Sequence, residues 1–227
     1  MSLEFLLHEM NWHPVILSVR VAIIATIVVT CIGVPLTRFM ARNEFYGKDF
    51  IEAAITLPMV LPPSVVGYGL LLLIGKNGII GKALADAGFT LIFTWYAAVI
   101  ASTVVAFPLM YQSAKAAFKS VDVAYENVAR TLGAGEIRTF FTITLPLAWP
   151  GVLAGLVLTF ARALGEFGAT LMIAGNIPGK TQTIPTAIYY AVESGNDLMA
   201  GTLVAIITVF SFLVIFWVNF WSKRQTH

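Results

Sequence analysis

One cysteine in 227 residues, Cys31, excludes an intramolecular disulfide and gives no footing for a thiolate-held metal. Midway along an apolar run, it is expected to be a small packing residue. Histidine is nearly as scarce: only His8 and His13 lie close together, too few to argue for a metal site. Charge is thin too. Asp, Glu, Lys and Arg make up 11% of the chain, under half of the roughly one quarter usual in soluble domains. No Lys or Arg precedes Arg20, so the basic region of a secretory signal peptide is missing. The first apolar run is therefore expected to stay as a span. Barrel-type alternation, internal repeats and low-complexity tracts are absent. The nearest approach to a nucleotide loop, AGNIPGKT, puts Ala174 where a P-loop needs its first glycine, follows an apolar span and contains Pro178. It is rejected. No loop holds a catalytic constellation, and no enzyme activity, cofactor, metal or nucleic-acid partner is expected.

What the chain has is apolar length. Hydrophobic residues make up 58% of it, and its mean hydropathy is +0.84. Several runs approach the ~20 residues that cross a bilayer as helix. The fold class is an all-α integral membrane protein, one domain over 1–227 built as a bundle of five transmembrane helices. The spans are expected at about 15–40, 50–74, 91–111, 147–174 and 198–221. Arg38, Arg42, Lys48, Lys115, Lys119, Arg130, Arg138, Lys223 and Arg224 fall in connections on one side of this arrangement. Only Lys76, Lys82 and Lys180 fall on the other. The positive-inside rule then puts the N-terminus outside and the 120–146 segment and C-terminus in the cytoplasm. Trp12, Trp95, Trp149, Trp217 and Trp221 lie near span ends, as an aromatic belt requires. Arg20, a turn or so inside the first span, is expected to snorkel to the outer headgroups. The connection at 75–90 is expected to hold a short helix, and that at 175–197 to cap or re-enter the membrane face. Five spans line a pathway poorly alone, which suggests a second copy of the chain.

Two spans carry unusual chemistry. In ITLPMVLPPSVVGYG, Pro58, Pro62 and Pro63 each remove a backbone donor, so the helix must kink or break. Broken helices often line transport pathways, which makes Pro62, Pro63 and Ser64 candidates for a pathway or gate. A kink that only shapes packing is the alternative. In FARALGEFGAT, Arg162 and Glu166 lie four apart on one helix face, so an ion pair is feasible. Counting ~1.5 Å per residue from Pro146 puts Glu166 near the outer interface. Either a structural pair near the headgroups or a gate or relay, with Thr170 on the same helix, fits that position. Gly151 and Gly155, at GxxxG spacing, point to close helix packing.

Between these spans lies a polar insert, ENVARTLGAGEIRTFFTITLP. Ser120 or Asp122 can cap a helix running to Leu132. Gly133 and Gly135 give a turn, Glu136 to Phe141 a second short helix, and Pro146 the start of the fourth span. Such a corner fits the groove of a soluble partner, or lies flat on the membrane. Physics alone leaves both open.

The insert resembles the cytoplasmic coupling motif of type I ATP-binding-cassette importer permeases: EAA, three residues, Gly, nine residues, Ile-x-Leu-Pro. Ala129, Gly133, Ile143, Leu145 and Pro146 match in register. Asn127 stands in the glutamate position, Val128 at the first alanine, and Glu126 is shifted by one. Nearly the whole chain is similar to the molybdate importer permeases, most specifically in LPMVLPPSVVGYGLLLLIGKNG, VDVAYENVARTLGAGEIRTFFTITLP and FARALGEFGATLMIAGNIPGKTQTIP. Sulfate and tungstate permeases are near relatives.

The resemblance implies a non-catalytic, homodimeric core in a bacterial or archaeal cytoplasmic membrane. Cytoplasmic ATPase subunits would dock on Glu126, Asn127, Ala129, Arg130, Leu132, Gly133, Ala134 and Gly135, and an extracytoplasmic binding protein would deliver the oxyanion. A rival reading, an autonomous secondary transporter with an Arg162–Glu166 relay, is opposed by five spans without an inverted repeat. A membrane-embedded enzyme would need clustered catalytic groups in the spans, and none is there.

Overall fold

The computed structural model describes residues 12–225, with side chains to residue 216, so His8 and the side chains of Trp217 and Trp221 lie outside the described residues. The described residues contain helices and no strand. The first long helix, α1 (His13–Arg42), opens with Pro14, where the missing N–H costs nothing. It buries Leu17, Val21, Ala25 and Val29, one stripe spaced four apart, against α5 (Trp95–Ser120) and α8 (Leu145–Leu164). Helix α5 is the axis of the bundle, touching α1 and α8 along their lengths. Small residues allow this. A Cβ on Gly151 would fall 2.5 Å from the Ala117 Cβ, and one on Gly155 2.9 Å from the Ser113 Cβ. The expected close packing at the GxxxG pair is therefore within the chain, against α5.

The second span is broken, as its prolines required. Helix α2 (Lys48–Val60) and α3 (Pro63–Ile74) meet at a bend of 119°. Pro62 caps α3 and Pro63 opens it, so neither can donate back to α2. The short helix expected in the next connection is α4 (Ile79–Asp86). With four long apolar helices and this bent pair, the chain is an all-α membrane bundle.

The fourth span differs from expectation at both ends. Helix begins before Pro146: after α6 (Val123–Thr131) and a turn at 132–135, α7 (Glu136–Thr139), a π turn (Phe140–Thr144) and α8 follow one another without interruption. Pro146 cannot donate to the carbonyl four residues back, and the wider π turn, closed by the Leu145 N–H to the Phe140 carbonyl, precedes it. At the other end α8 stops at Leu164 instead of running to 174. After the break at 165–167 comes a separate half-helix, α9 (Gly168–Ala174). The last connection holds α10 (Ile184–Glu193), capped by reciprocal bonds between Thr183 and Thr186, and leads to α11 (Asp197–Gln225).

One residue departs from its expected role. Cys31 lies on the exposed side of α1 and is not a packing residue. The Arg20 guanidinium stacks 3.9 Å from the Trp95 ring centroid, so a cation–π contact holds it beside the start of α5.

Candidate functional site

The 120–146 segment folds into a corner fixed from within. The Asp122 carboxylate caps α6, accepting the Ala124 N–H at 2.9 Å. Helix α6 ends on Gly133 at φ +84°, where the Gly133 N–H bonds the Arg130 carbonyl and the Ala134 N–H the Ala129 carbonyl. Across the turn, Arg130 grips the Glu136 carboxylate through Nε at 2.7 Å and Nη2 at 3.0 Å, while Nη1 reaches Asn127 Oδ1 at 3.1 Å. That carboxylate holds the Arg130 guanidinium above its ordinary range. A side chain at Gly133 meets open space, so only its backbone is demanding. Gly133→Asn is therefore expected to retain transport. Gly133→Val, a β-branched residue forced to positive φ, is expected to cost about 1–3 kcal/mol and to reduce assembly or coupling. Wild-type assembly and uptake in the valine variant would remove the corner from the mechanism.

Beneath the corner lies Glu126, 1% exposed. Its carboxylate accepts from Arg38 Nη2, Arg42 Nη2 and Thr144 Oγ1, each at 2.9 Å, with Arg130 Nη2 at 3.8 Å. A second bond runs from Arg42 Nη2 to the Val121 carbonyl. One carboxylate thus ties α6 to the end of α1 and to the π turn that begins α8. This corrects the reading of Glu126 as a residue facing a partner. One residue of shift turns it about 100° around the helix from Asn127, and that rotation buries it. Ala129 is also buried and Ala134 half-buried, whereas Asn127, Arg130, Leu132, Gly133 and Gly135 are at the surface.

The outer side of the corner is apolar. Tyr125, Val128, Leu132, Ile137 and Phe141 are all exposed. Tyr125, Val128 and Leu132 follow helical spacing and, with Arg138, Thr142 and Ile143, line a groove of about 800 Å³. Of this row only Leu132 was singled out from sequence; Tyr125, Val128, Ile137 and Phe141 were not, nor were Arg38 and Arg42 as site residues. The arginines stood four apart at a span end, and the orientation count absorbed them.

The second candidate site is where the two broken spans meet. A Cβ on Gly67 of α3 would fall 2.7 Å from the Ala169 Cα, and one on Gly168 2.9 Å from the Pro63 Cβ. The breaks are therefore in contact, which brings Pro63 and Ser64 beside Gly168, with Pro62 exposed at the bend. Glu166 is buried at the break and Thr170 buried on α9. One Glu166 oxygen, Oε1, accepts the Ala169 N–H at 2.8 Å. The other, Oε2, lies 2.7 Å from Arg162 Nη1, an ion pair without the alignment of a hydrogen bond. The expected pair is thus present. A further network ties α2 to α5: Glu52 accepts from Tyr111 Oη at 2.9 Å and pairs with Lys115 Nζ at 2.5 Å.

Known proteins share both sequence and fold with this chain. Residues 33–227 match the family described as "Binding-protein-dependent transport system inner membrane component". A putative molybdenum transport system permease protein, YvgM of Bacillus subtilis strain 168, is 50% identical over 215 residues, covering 94% of this chain and 93% of the relative. The molybdenum transport system permease protein ModB of Escherichia coli strain K12 is 42% identical over 220 residues, 96% of each. That of Haemophilus influenzae is 44% identical over 211 residues, 92% of each. Among solved structures, a chain of the inward-facing MetNI methionine ABC transporter superposes with a TM-score of 0.75 at 16% identity, covering 100% of both chains. A bacterial ABC transporter that imports alginate gives 0.69 at 16% identity, over 100% of this chain and 85% of that one. These structures share the fold, and the sequence relatives share the lineage. The chain belongs to the family of binding-protein-dependent transport system inner membrane components, as a permease subunit and not an ATP-hydrolysing one.

Proposed function

We propose that this permease conducts molybdate inward across the cytoplasmic membrane as a homodimer, driven by separate ATPase subunits and supplied by an extracytoplasmic binding protein. Its similarity to molybdenum transport permeases over nearly their entire length carries this reading. The excess of Lys and Arg on one side favours an outside N-terminus and a cytoplasmic 120–146 corner. The ATPases would seat on the apolar outer side of that corner, through Leu132, Val128 and Ile137. ATP-driven closure would draw two such corners together and turn the core from inward to outward facing. Among the charged groups described in the spans, Arg162 pairs with Glu166 and Lys115 with Glu52, and Arg20 is held on the Trp95 ring at the start of α5. A dianion then meets little fixed charge to trap it, and selection rests mainly with the binding protein.

Reconstitution with both partners in vesicles tests this. Molybdate is expected to stimulate ATP hydrolysis and enter the vesicles, more effectively than sulfate. A preference for sulfate or tungstate would reassign the substrate. Uptake by the chain alone, without ATP, would replace the reading with a secondary transporter.

A further inference from the structure

We propose that Glu166 is the positioning residue of a two-ended clamp, which sets how the packed half-helices α3 and α9 move against α8 during transport. The proposal rests on the transport reading above, but its geometry is independent of substrate. The two oxygens of one carboxylate do different jobs. Oε1 satisfies a free N–H at the start of α9, and Oε2 pairs with Arg162 in the last turn of α8. The carboxylate therefore bridges the break at 165–167, where the backbone itself is not helical.

Helix α9 has seven residues, too few to hold helical shape without support. Its support is α3, pressed against it at Gly67 and Gly168 with no room for a side chain between, and α5, against which it also packs through the cluster that holds Ala169 and Ile173. Helix α3 is itself separated from α2 by the 119° bend. The two half-helices are thus one packed body bounded by two breaks. Beside the clamp, the Phe167 ring lies 5.2 Å from the Tyr189 ring, which brings α10 to the same point.

A helix break needs no ion pair. Pairing a carboxylate with a guanidinium away from water at best offsets its own desolvation, and an apolar pair holds as well. What an ion pair adds is a contact that opens and closes. Here only one partner is free to leave. Glu166 is 2% exposed, whereas the Arg162 side chain is 31% exposed and can swing to the surface without crossing the core. Release of Arg162 would free the α3–α9 body to pivot while the Ala169 cap keeps α9 helical.

Two variants separate the ends of the clamp. Glu166→Gln keeps an oxygen for the Ala169 N–H and loses the charge, and Arg162→Gln loses the charge from the other side. In the reconstituted complex both are expected to assemble and hydrolyse ATP. Uptake per ATP should fall about tenfold, the scale of one lost charge-assisted contact. Arg162→Lys is expected to recover most of it. A second readout needs no uptake. Spin labels at Tyr68→Cys on α3 and Leu158→Cys on α8, both exposed positions, with the exposed Cys31 changed to Ser, report the separation of the two helices. The distance distribution is expected to be narrow in the parent and broad in both glutamine variants. Unchanged distances overturn the clamp, as does uptake that falls only in proportion to assembled complex. If no oxyanion is imported yet the distances broaden as expected, the substrate reading fails and the clamp stands.

Discussion

Glu126→Ala is expected to yield a permease that hardly survives extraction from the membrane. Alanine leaves Arg38 and Arg42 facing one another at a largely buried site, without the carboxylate that accepts from both at 2.9 Å. Removing one partner from a buried charge cluster costs about 3–5 kcal/mol, a large share of the 5–15 kcal/mol that typically holds a domain folded. Glu126→Gln preserves shape and the contact to Thr144 but not the charge, and is expected to fall between. Thermal unfolding and membrane yield give the order. Because the carboxylate also joins α6 to α1, the glutamine variant is expected to retain ATPase subunits yet waste ATP. Equal stability of all three proteins would mean that the arginines find other partners, and Glu126 would lose its role.

Leu132→Asp is expected to do the reverse: full stability without partners. The side chain is 83% exposed, and exposed positions usually tolerate change within about 0.5 kcal/mol. At the centre of a docking surface, burying an unpaired charge costs at least about 2 kcal/mol, some thirtyfold in affinity. Co-purification of the ATPase subunits is therefore expected to be lost while the unfolding temperature stays put. Retained ATPase at wild-type stoichiometry would move the docking site off this face. Together the two variants separate a residue that holds the corner from one that presents it.

Local chemistry made part of this legible. The adjacent prolines at 62 and 63 break the second span, whereas the single Pro35, Pro58, Pro108 and Pro150 are carried inside helices; Asp122 is a cap by type, and Arg162 reaches Glu166 because four residues is one turn. The insert stood out because polar residues are conspicuous in an apolar chain. What stayed hidden depends on distant residues or on apolar continuity. The break at 165–167 escaped because Leu171, Met172 and Ile173 keep the run apolar on its far side. Gly165 and Gly168 also have a ready explanation in packing. The burial of Glu126 depends on arginines 88 and 84 residues away, which no periodicity connects to it. Helix α10 was obscured by its surroundings, since a Thr183–Thr186 cap looks like more of the Pro, Gly and Thr around it.

The π turn at Phe140–Thr144 has one more effect. A wider turn adds a residue without adding a full step of rotation, so it shifts the angular phase between α7 and α8. With that phase Thr144, Ala148 and Val152, spaced four apart, lie on one side of the rod, Thr144 at Glu126 and the other two in the buried cluster with α5. The exposed Ile137 ahead of the turn and the buried row after it thus belong to one rod whose two parts are set in angle by the turn between them. Ile137 and Arg138 can be exchanged without disturbing the register of Thr144, Ala148 and Val152, whereas Phe141, Thr142 and Ile143 belong to the turn itself.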